Sequence, residues 1–395
     1  MKDLSINIYY ILDMKKFDYE SIYDEVEDFY DGLAAVKRNG KWGFVNKQDE
    51  EVIPCKYDDA GRFAEGFARV RFGGKWGFVN KQGEEVIPCK YEDVDYYFFT
   101  GLAKVKLGGK WGCVNKQGEE VIPCKYEEVG CFYDGLADVK LGGKWGFVNK
   151  QGEEVILCKY EDAWRFFKGF ARVRFDGKWG LVNKQGEEVI PCKYEEVGFL
   201  YDGLADVKLG DKWGFVNKQD EEVIPCKYEE VGFFYDGLAK VKLGDKWGLV
   251  NKQDEEVIPC KYDDAGRFSE GFASVKLGGK WGFVNKQDEE VIHCKYDDAG
   301  RFSEGFASVK LGGKWGFVSK QGEEVIPCKY EEVGCFSDGL ADVKLGGKWG
   351  FVNKPGEEVI QCKYDNAWRF SEGFASVKHG GKWGRVNAKG EEFWD

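Results

Sequence analysis

The sequence predicts an all-β protein: a tandem array of antiparallel three-stranded units forming an elongated solenoid or superhelix, with a closed propeller-like ring as the alternative. Three observations predict it. The tripeptide Lys-Trp-Gly occurs eleven times, at Trp42, Trp76, Trp111, Trp145, Trp179, Trp213, Trp247, Trp281, Trp315, Trp349 and Trp383, and every step is 34 residues except the 35 from Trp76 to Trp111. A fixed period of this size marks units that pack mainly on their neighbours. Within each period, short runs alternate apolar with polar residues, the pattern of half-buried strands. Glycine-rich dipeptides separate the runs and serve as tight turns. Propellers of about 4–8 four-stranded blades fit eleven three-stranded units poorly.

Residues 135–160 show the elements of one unit. Leu136-Ala137-Asp138-Val139-Lys140-Leu141 alternates and is read as the first strand. Gly142-Gly143 accepts the positive φ of a hairpin turn. Lys144-Trp145-Gly146-Phe147-Val148-Asn149 is the return strand, with Trp145 and Phe147 on one face and Gly146 on the other. A glycine repeated inside a strand marks a close approach. The expected neighbour is an aromatic ring of the adjacent unit, and the tryptophan itself is expected in the inter-repeat core. Asn149-Lys150-Gln151-Gly152 is a second turn, whose glycine becomes Asp49, Asp220, Asp254 or Asp288 in other units, and aspartate tolerates the left-handed region. Lys354-Pro355-Gly356-Glu357 suggests a type II variant.

Glu153-Glu154-Val155-Ile156-Leu157-Cys158-Lys159-Tyr160 is the third strand. The Leu157 position is proline in most units but also His293 and Gln361, so its N–H is dispensable and the strand is an edge. A loop of about ten residues follows, to judge from turn chemistry. It comes in two cassettes, in which valine accompanies leucine (Val94 with Leu102, Val129 with Leu136) and alanine accompanies phenylalanine (Ala60 with Phe67, Ala265 with Phe272). Conserved volume across a packed contact explains the pairing, and so does duplication of whole cassettes. Two divisions result: an N-terminal capping segment, 1–22, with Ile6, Ile8 and Tyr10 alternating, and the array, 23–395.

Composition excludes several classes. At 43% hydrophobic residues the chain folds, despite 32% charged ones. A net charge of −12 argues against nucleic acid, which needs a basic footprint, and against anionic membrane surfaces. No run approaches the roughly 18 apolar residues of a membrane span, and the N-terminus reads as mature rather than as a signal peptide. Ten of the 13 cysteines occupy one repeat position, from Cys55 to Cys362. One thiol per unit is no disulfide framework, and without C-x-x-C pairs it is no zinc site. The thiols are expected reduced, which places the chain in the cytoplasm.

The segment Phe-x-x-Gly-Phe/Leu-Ala-x-Val-x-x-x-Gly-Lys-Trp-Gly-Phe-Val-Asn-Lys-x-Gly-Glu-Glu-Val-Ile-Pro-x-Lys-Tyr resembles the WG (KWG) repeat of bacterial proteins, from about Tyr23 to Trp394. The resemblance implies a β-rich repeat scaffold and supplies no catalytic residue, since the motif contains none.

Chemistry needs a singular site, and few residues here are singular. His293 and His379 lie 86 residues apart without a triad partner in sequence, and the paired acids recur at turns. No catalytic, cofactor-binding or metal-binding residue is assigned. The candidate partner-binding residues are those that break the repeat. Trp164 beside Arg165 and Trp368 beside Arg369 replace a loop glycine, and Tyr96, Tyr97, Phe98 and Phe99 accompany the insertion. Tryptophan, tyrosine and arginine are the types enriched at binding hot spots. The expected function is a non-enzymatic scaffold for protein partners, without cofactors, with carbohydrate as the alternative ligand.

Overall fold

A computed structural model describes residues 22–394. The capping strand expected around Ile6 to Tyr10 lies outside the described residues. Two compact parts divide the chain, residues 1–193 and 194–395. Five antiparallel sheets fall in the first and six in the second, and none closes on itself as a barrel.

Each sheet has four strands rather than three. In residues 127–160 the order is Glu128–Val129, Leu136–Leu141, Lys144–Asn149, Glu154–Tyr160. The added strand comes from the segment read as loop. Glu128 and Val129 pair with Lys140 and Val139, and the Glu127 and Gly130 amides donate to the Lys140 and Asp138 carbonyls at 2.8 Å. A two-residue strand is too short to alternate visibly in sequence. The Gly142-Gly143 turn forms as expected, and the segment read as loop holds a second tight turn at Asp134-Gly135. Asp134-Gly135 (φ 54° and 91°) and Gly142-Gly143 (φ 61° and 74°) are both left-handed, the hairpin geometry that matches strand twist. Asn149 organises the third turn: its Oδ1 accepts the Gln151 and Glu153 amides at 3.0 and 2.9 Å. The Pro355 turn keeps the same closing bond, Gly356 N–H to the Asn353 carbonyl at 2.9 Å, as Gly152 makes to Asn149 at 3.0 Å.

The proline-bearing strand is an edge, and it carries a bulge. Trp145 pairs with Tyr160 but Phe147 pairs with Ile156, so two residues on one strand oppose four on the other. The bulged backbone presses on Gly146, where a methyl group would stand 2.6 Å from the Cys158 amide nitrogen. The same crowding occurs at Gly43, Gly112 and Gly214, each 2.7 Å from the equivalent cysteine nitrogen. Glycine is required, as expected, but the neighbour is backbone of the same sheet, not a ring of the next.

Sheets stack face on face within each part. One face offers Leu136, Phe147, Ile156 and Tyr160, and the next sheet covers it with Phe166, Ala171, Val173 and Val182. Phe166, from the loop before the hairpin, meets Phe147 edge to face at 4.8 Å, and Phe63 with Phe44 and Phe370 with Phe351 repeat this. A fully buried ring of this size stabilises by about 1.5–3 kcal/mol. The Lys-Trp-Gly tryptophans, expected inside this core, pack against it rather than fill it, as Trp42 and Trp145 do. From Trp42 to Trp349 they are half-buried, one rim of the ring open to water. In most units the cross-strand lysine lies over the ring, as Lys140 does over Trp145 at 5.2 Å. The motif places phenylalanine inside and tryptophan at the boundary.

The cassette pairs do not meet either. Val94 packs in the cluster of Phe78, Tyr91 and Phe98, whereas Leu102 packs in the next, with Ile122 and Val129. Leu136, the partner of Val129 by cassette, lies one cluster further on. The residues that share a cluster are Phe67 with Val94 and Leu102 with Val129, and these do not compensate in volume. Duplication of cassettes accounts for the pattern.

A polar seam joins successive units. The turn acid of one unit accepts from the turn glycine of the next, as Gly169 N–H donates to Asp134 at 2.8 Å and Gly66 to Asp31 at 2.8 Å. Lys81 adds an ion pair to Asp31 at 2.7 Å, and both partners hold that carboxyl below its usual range. Tyr126 donates its hydroxyl to Glu154 of the following unit at 2.9 Å, while burial and then that carboxylate push the phenol up to about 12. The repeated cysteine is half-buried. Cys158 Sγ lies 3.7 Å from the Val139 carbonyl, and burial raises the thiol, so little thiolate forms at neutral pH.

Candidate functional site

Within each part the half-open tryptophans hold equivalent places on successive sheets, the tryptophan row, and one strand position beside them changes from unit to unit. It is occupied by Ala35, Arg69, Lys104, Asp138, Arg172, Asp206, Lys240, Ser274, Ser308, Asp342 and Ser376, while its neighbours are nearly constant. The backbone opposite comes from the short strand and its loop: Gly61 N–H donates to the Arg69 carbonyl, Trp164 to Arg172, Trp368 to Ser376, all at 2.9 Å. Whatever replaces the loop glycine therefore lands on this row.

Trp164 does so. It is 49% exposed, and the Arg172 guanidinium lies 4.8 Å from its ring centre and 5.1 Å from that of Trp179. One cation thus bridges two indoles, a contact worth about 0.5–2 kcal/mol for each ring. Arg165 points elsewhere: it covers Tyr133 of the preceding unit at 4.4 Å, as Arg62 covers Tyr30 at 4.7 Å. Arg165 is thus an ordinary junction residue, not the neighbour of Trp164 that sequence adjacency suggested.

The insertion produces the same arrangement by another route. Tyr96 is 69% exposed and lies over the Arg69 guanidinium at 3.5 Å, with Trp76 at 4.6 Å from the same group. Tyr97 is exposed beside it. Phe98 leaves the candidate set. It is buried, 5.1 Å from Phe67 and 5.0 Å from Phe78, and occupies the place Phe63 holds in the unit before. Phe99 is half-exposed and 6.4 Å from Tyr133. The extra residue is absorbed at Tyr96 and Tyr97, between the short strand and the core ring.

Trp368 is 65% exposed and meets Trp383 edge to face at 6.3 Å. Ser376 and Arg385 complete a groove of about 340 Å3. Arg369 is exposed and lacks the ring that Arg165 covers, because Ser337 stands there. The two histidines stay peripheral: His293 sits at the exposed edge, 3.2 Å from Glu290, and His379 Nδ1 is 3.2 Å from the Lys363 carbonyl.

Reading single residues missed the partners on the row: Arg69, Arg172, Ser376 and the tryptophans they flank. The available signal was one position varying among small, basic and acidic residues inside a near-constant strand.

Charge on the row is partly buried. Burial raises the Asp138 carboxyl, and it raises Asp95 despite the Lys104 amine 3.6 Å away. Asp342 is 8% exposed, its Oδ1 lacks a hydrogen-bond partner, and burial raises its carboxyl too. A methyl group on Gly334 would overlap that carboxylate, so the loop glycine makes room for it.

Comparison with solved structures gives distant likenesses. A eukaryotic initiation factor matches at 11% identity over 82% of this chain and 95% of its own, with a TM-score of 0.37. PorZ of Porphyromonas gingivalis matches at 11% over 93% of this chain and 65% of its own, with a TM-score of 0.24. Hsv2p of Kluyveromyces lactis matches at 8% over 57% and 92%, with a TM-score of 0.28. No curated protein matches the sequence. The model of the WG containing repeat matches eleven consecutive segments, the first at 19–42, the second at 42–76 and the last at 349–383. Those segments tile nearly the whole chain around the tryptophans described above, and the protein belongs to the WG-repeat family.

Proposed function

We propose that the chain is a non-enzymatic scaffold that binds protein partners through the irregular loops raised on the tryptophan row. One observation carries the reading: Tyr96, Trp164 and Trp368 all stand exposed, and each meets the row through Arg69, Arg172 or Trp383. Aromatic anchors held by arginine lose little side-chain freedom on binding and suit a hot spot. The regular surface between them mixes lysine with acid and offers no single patch.

The row also favours protein over carbohydrate. In most units a lysine lies over the tryptophan ring, with Nζ 5.2–5.9 Å from its centre (5.2 Å at Trp145, 5.9 Å at Trp383), on the face a sugar would use. Thirteen cysteines without a disulfide and the acidic balance support a cytoplasmic partner rather than nucleic acid or a membrane surface.

The test restores the consensus loop. Trp164→Gly and Trp368→Gly, each checked for an unchanged thermal transition, are compared with the parent in pull-downs from native lysate. Loss of at least one partner is expected. Retention of every partner by both folded variants contradicts the proposal and shifts attention to the regular face.

A further inference from the structure

In ten units the residue after Trp-Gly is Phe44, Phe78, Cys113, Phe147, Leu181, Phe215, Leu249, Phe283, Phe317 or Phe351, and all ten are buried, Phe147 and Phe351 among them under the following sheet. In the last unit it is Arg385, which is exposed and makes no hydrogen bond or ion pair among the described residues. A further repeat would set a phenylalanine on this spot, as Phe370 sits on Phe351 at 4.8 Å. The guanidinium would then be buried without a partner, at a cost of several kcal/mol. Arg385 therefore stands in place of the apolar contact that buries this position in the units before it.

What surrounds Arg385 is aromatic. Trp383 is 44% exposed, whereas its ten equivalents are only half-open, and Trp368 stands at 89° to it. The two indoles make a corner, one face and one edge, with the Ser376 hydroxyl and Arg385 lining the same groove. A corner of about 340 Å3 has room for one or two side chains. It is not the flat, unshared indole face on which a sugar ring stacks. Among the described residues the one charged side chain lining the groove is the Arg385 guanidinium, a local positive charge on a chain of net charge −12.

We infer that this groove binds an acidic peptide segment of a partner, with an apolar side chain in the Trp368–Trp383 corner and a neighbouring aspartate or glutamate on Arg385. The inference rests on the protein-binding reading above and gives one of its sites a ligand class. Arginine pairs a carboxylate through two parallel N–H donors, and the Arg385 guanidinium has no existing ion pair to give up among the described residues. The site is absent from the other units because their equivalent position lies in the core.

The experiment uses the full chain and a membrane array of 12-residue peptides alternating Glu with Leu or Phe, beside matched Lys-containing and all-Glu peptides and an oligogalacturonate as acidic-sugar probe. Parent, Arg385→Gln, Trp368→Gly and Leu157→Pro are compared. Retention of Glu/Leu or Glu/Phe peptides by the parent is expected. Arg385→Gln and Trp368→Gly should each weaken it about tenfold, the loss of one charged hydrogen-bond pair or one anchor. Leu157→Pro, a control that restores the consensus at an exposed edge outside the binding loops, should leave it unchanged, and added salt should weaken it. Equal binding by Arg385→Gln, no peptide binding at all, or binding of the oligogalacturonate alone overturns the inference. If the peptides fail while Trp164→Gly still loses a lysate partner, the scaffold reading stands and only this site falls.

Discussion

Gly214 lies against the peptide of Cys226: a methyl group on it would stand 2.7 Å from the Cys226 amide nitrogen, and the Ile224 carbonyl oxygen would be closer still. The glycine of the motif thus records a bulge in the neighbouring strand. Gly214→Ala must move backbone rather than a flexible side chain. It is expected to cost about 2–3 kcal/mol, the upper range for overpacking, read as a lower midpoint in denaturant. A midpoint within experimental error of the parent would contradict the bulge account.

The half-open tryptophans and the buried phenylalanines should separate under truncation. Phe215 is buried and meets Phe234 at 4.8 Å, whereas Trp213 is half-buried beside Lys208. Phe215→Ala is expected to cost about 3–5 kcal/mol, as core aromatics do. Trp213→Ala should cost clearly less, near the centre of surface-to-boundary effects at about 1 kcal/mol. Paired unfolding curves check the order, and a reversed order would return tryptophan to the core.

Strand boundaries, both tight turns, the edge and its proline were legible because each has a local chemical signature, such as Gly142-Gly143 or Pro88. The fourth strand was not, because in nine of the eleven sheets it has only two residues, which cannot show a period, and the six-residue versions Asp264–Ser269 and Asp298–Ser303 do not alternate in sequence. The division of labour between Trp145 and Phe147 was also hidden. Both lie on one face, and only the position of the next sheet decides which is covered. At the candidate site, Trp164, Trp368 and Tyr96 were found as departures from the repeat. Their partners Arg172, Trp383 and Arg69 lie on other strands and required the register. Phe98 was misread because the insertion shifted it by one residue from its consensus place.

Leu102 and Val129 share a core cluster, whereas Val94 and Leu102 do not. Double-mutant cycles should show it. Coupling between Leu102→Ala and Val129→Ala is expected at about 0.5–3 kcal/mol, and between Val94→Ala and Leu102→Phe within about 0.3–0.5 kcal/mol of zero. Strong coupling in the second cycle would restore volume compensation within the cassette.

Asp342 carries a pH dependence whose sign follows from its raised carboxyl. The folded chain binds this proton more tightly than the unfolded chain, whose carboxyl sits near 3.8. Its contribution is fully present below that value and is lost as pH rises through the folded one. At neutral pH the ionised, unpartnered carboxylate is a liability of about 1–3 kcal/mol. Asp342→Asn should therefore raise the melting temperature at pH 7, and the gain should shrink toward pH 3. An equal gain at both pH values would contradict a buried charge.

The central claim is that partners are read at the irregular loops on the tryptophan row. Hydrogen exchange of the full chain, alone and with a partner captured from lysate, tests it most directly. Protection is expected to concentrate in one or more of residues 93–101, 161–169 and 365–373, with the equivalent loops of regular units unchanged. Protection spread equally over the Lys-Trp-Gly hairpins of all units, with no excess at those loops, would contradict it.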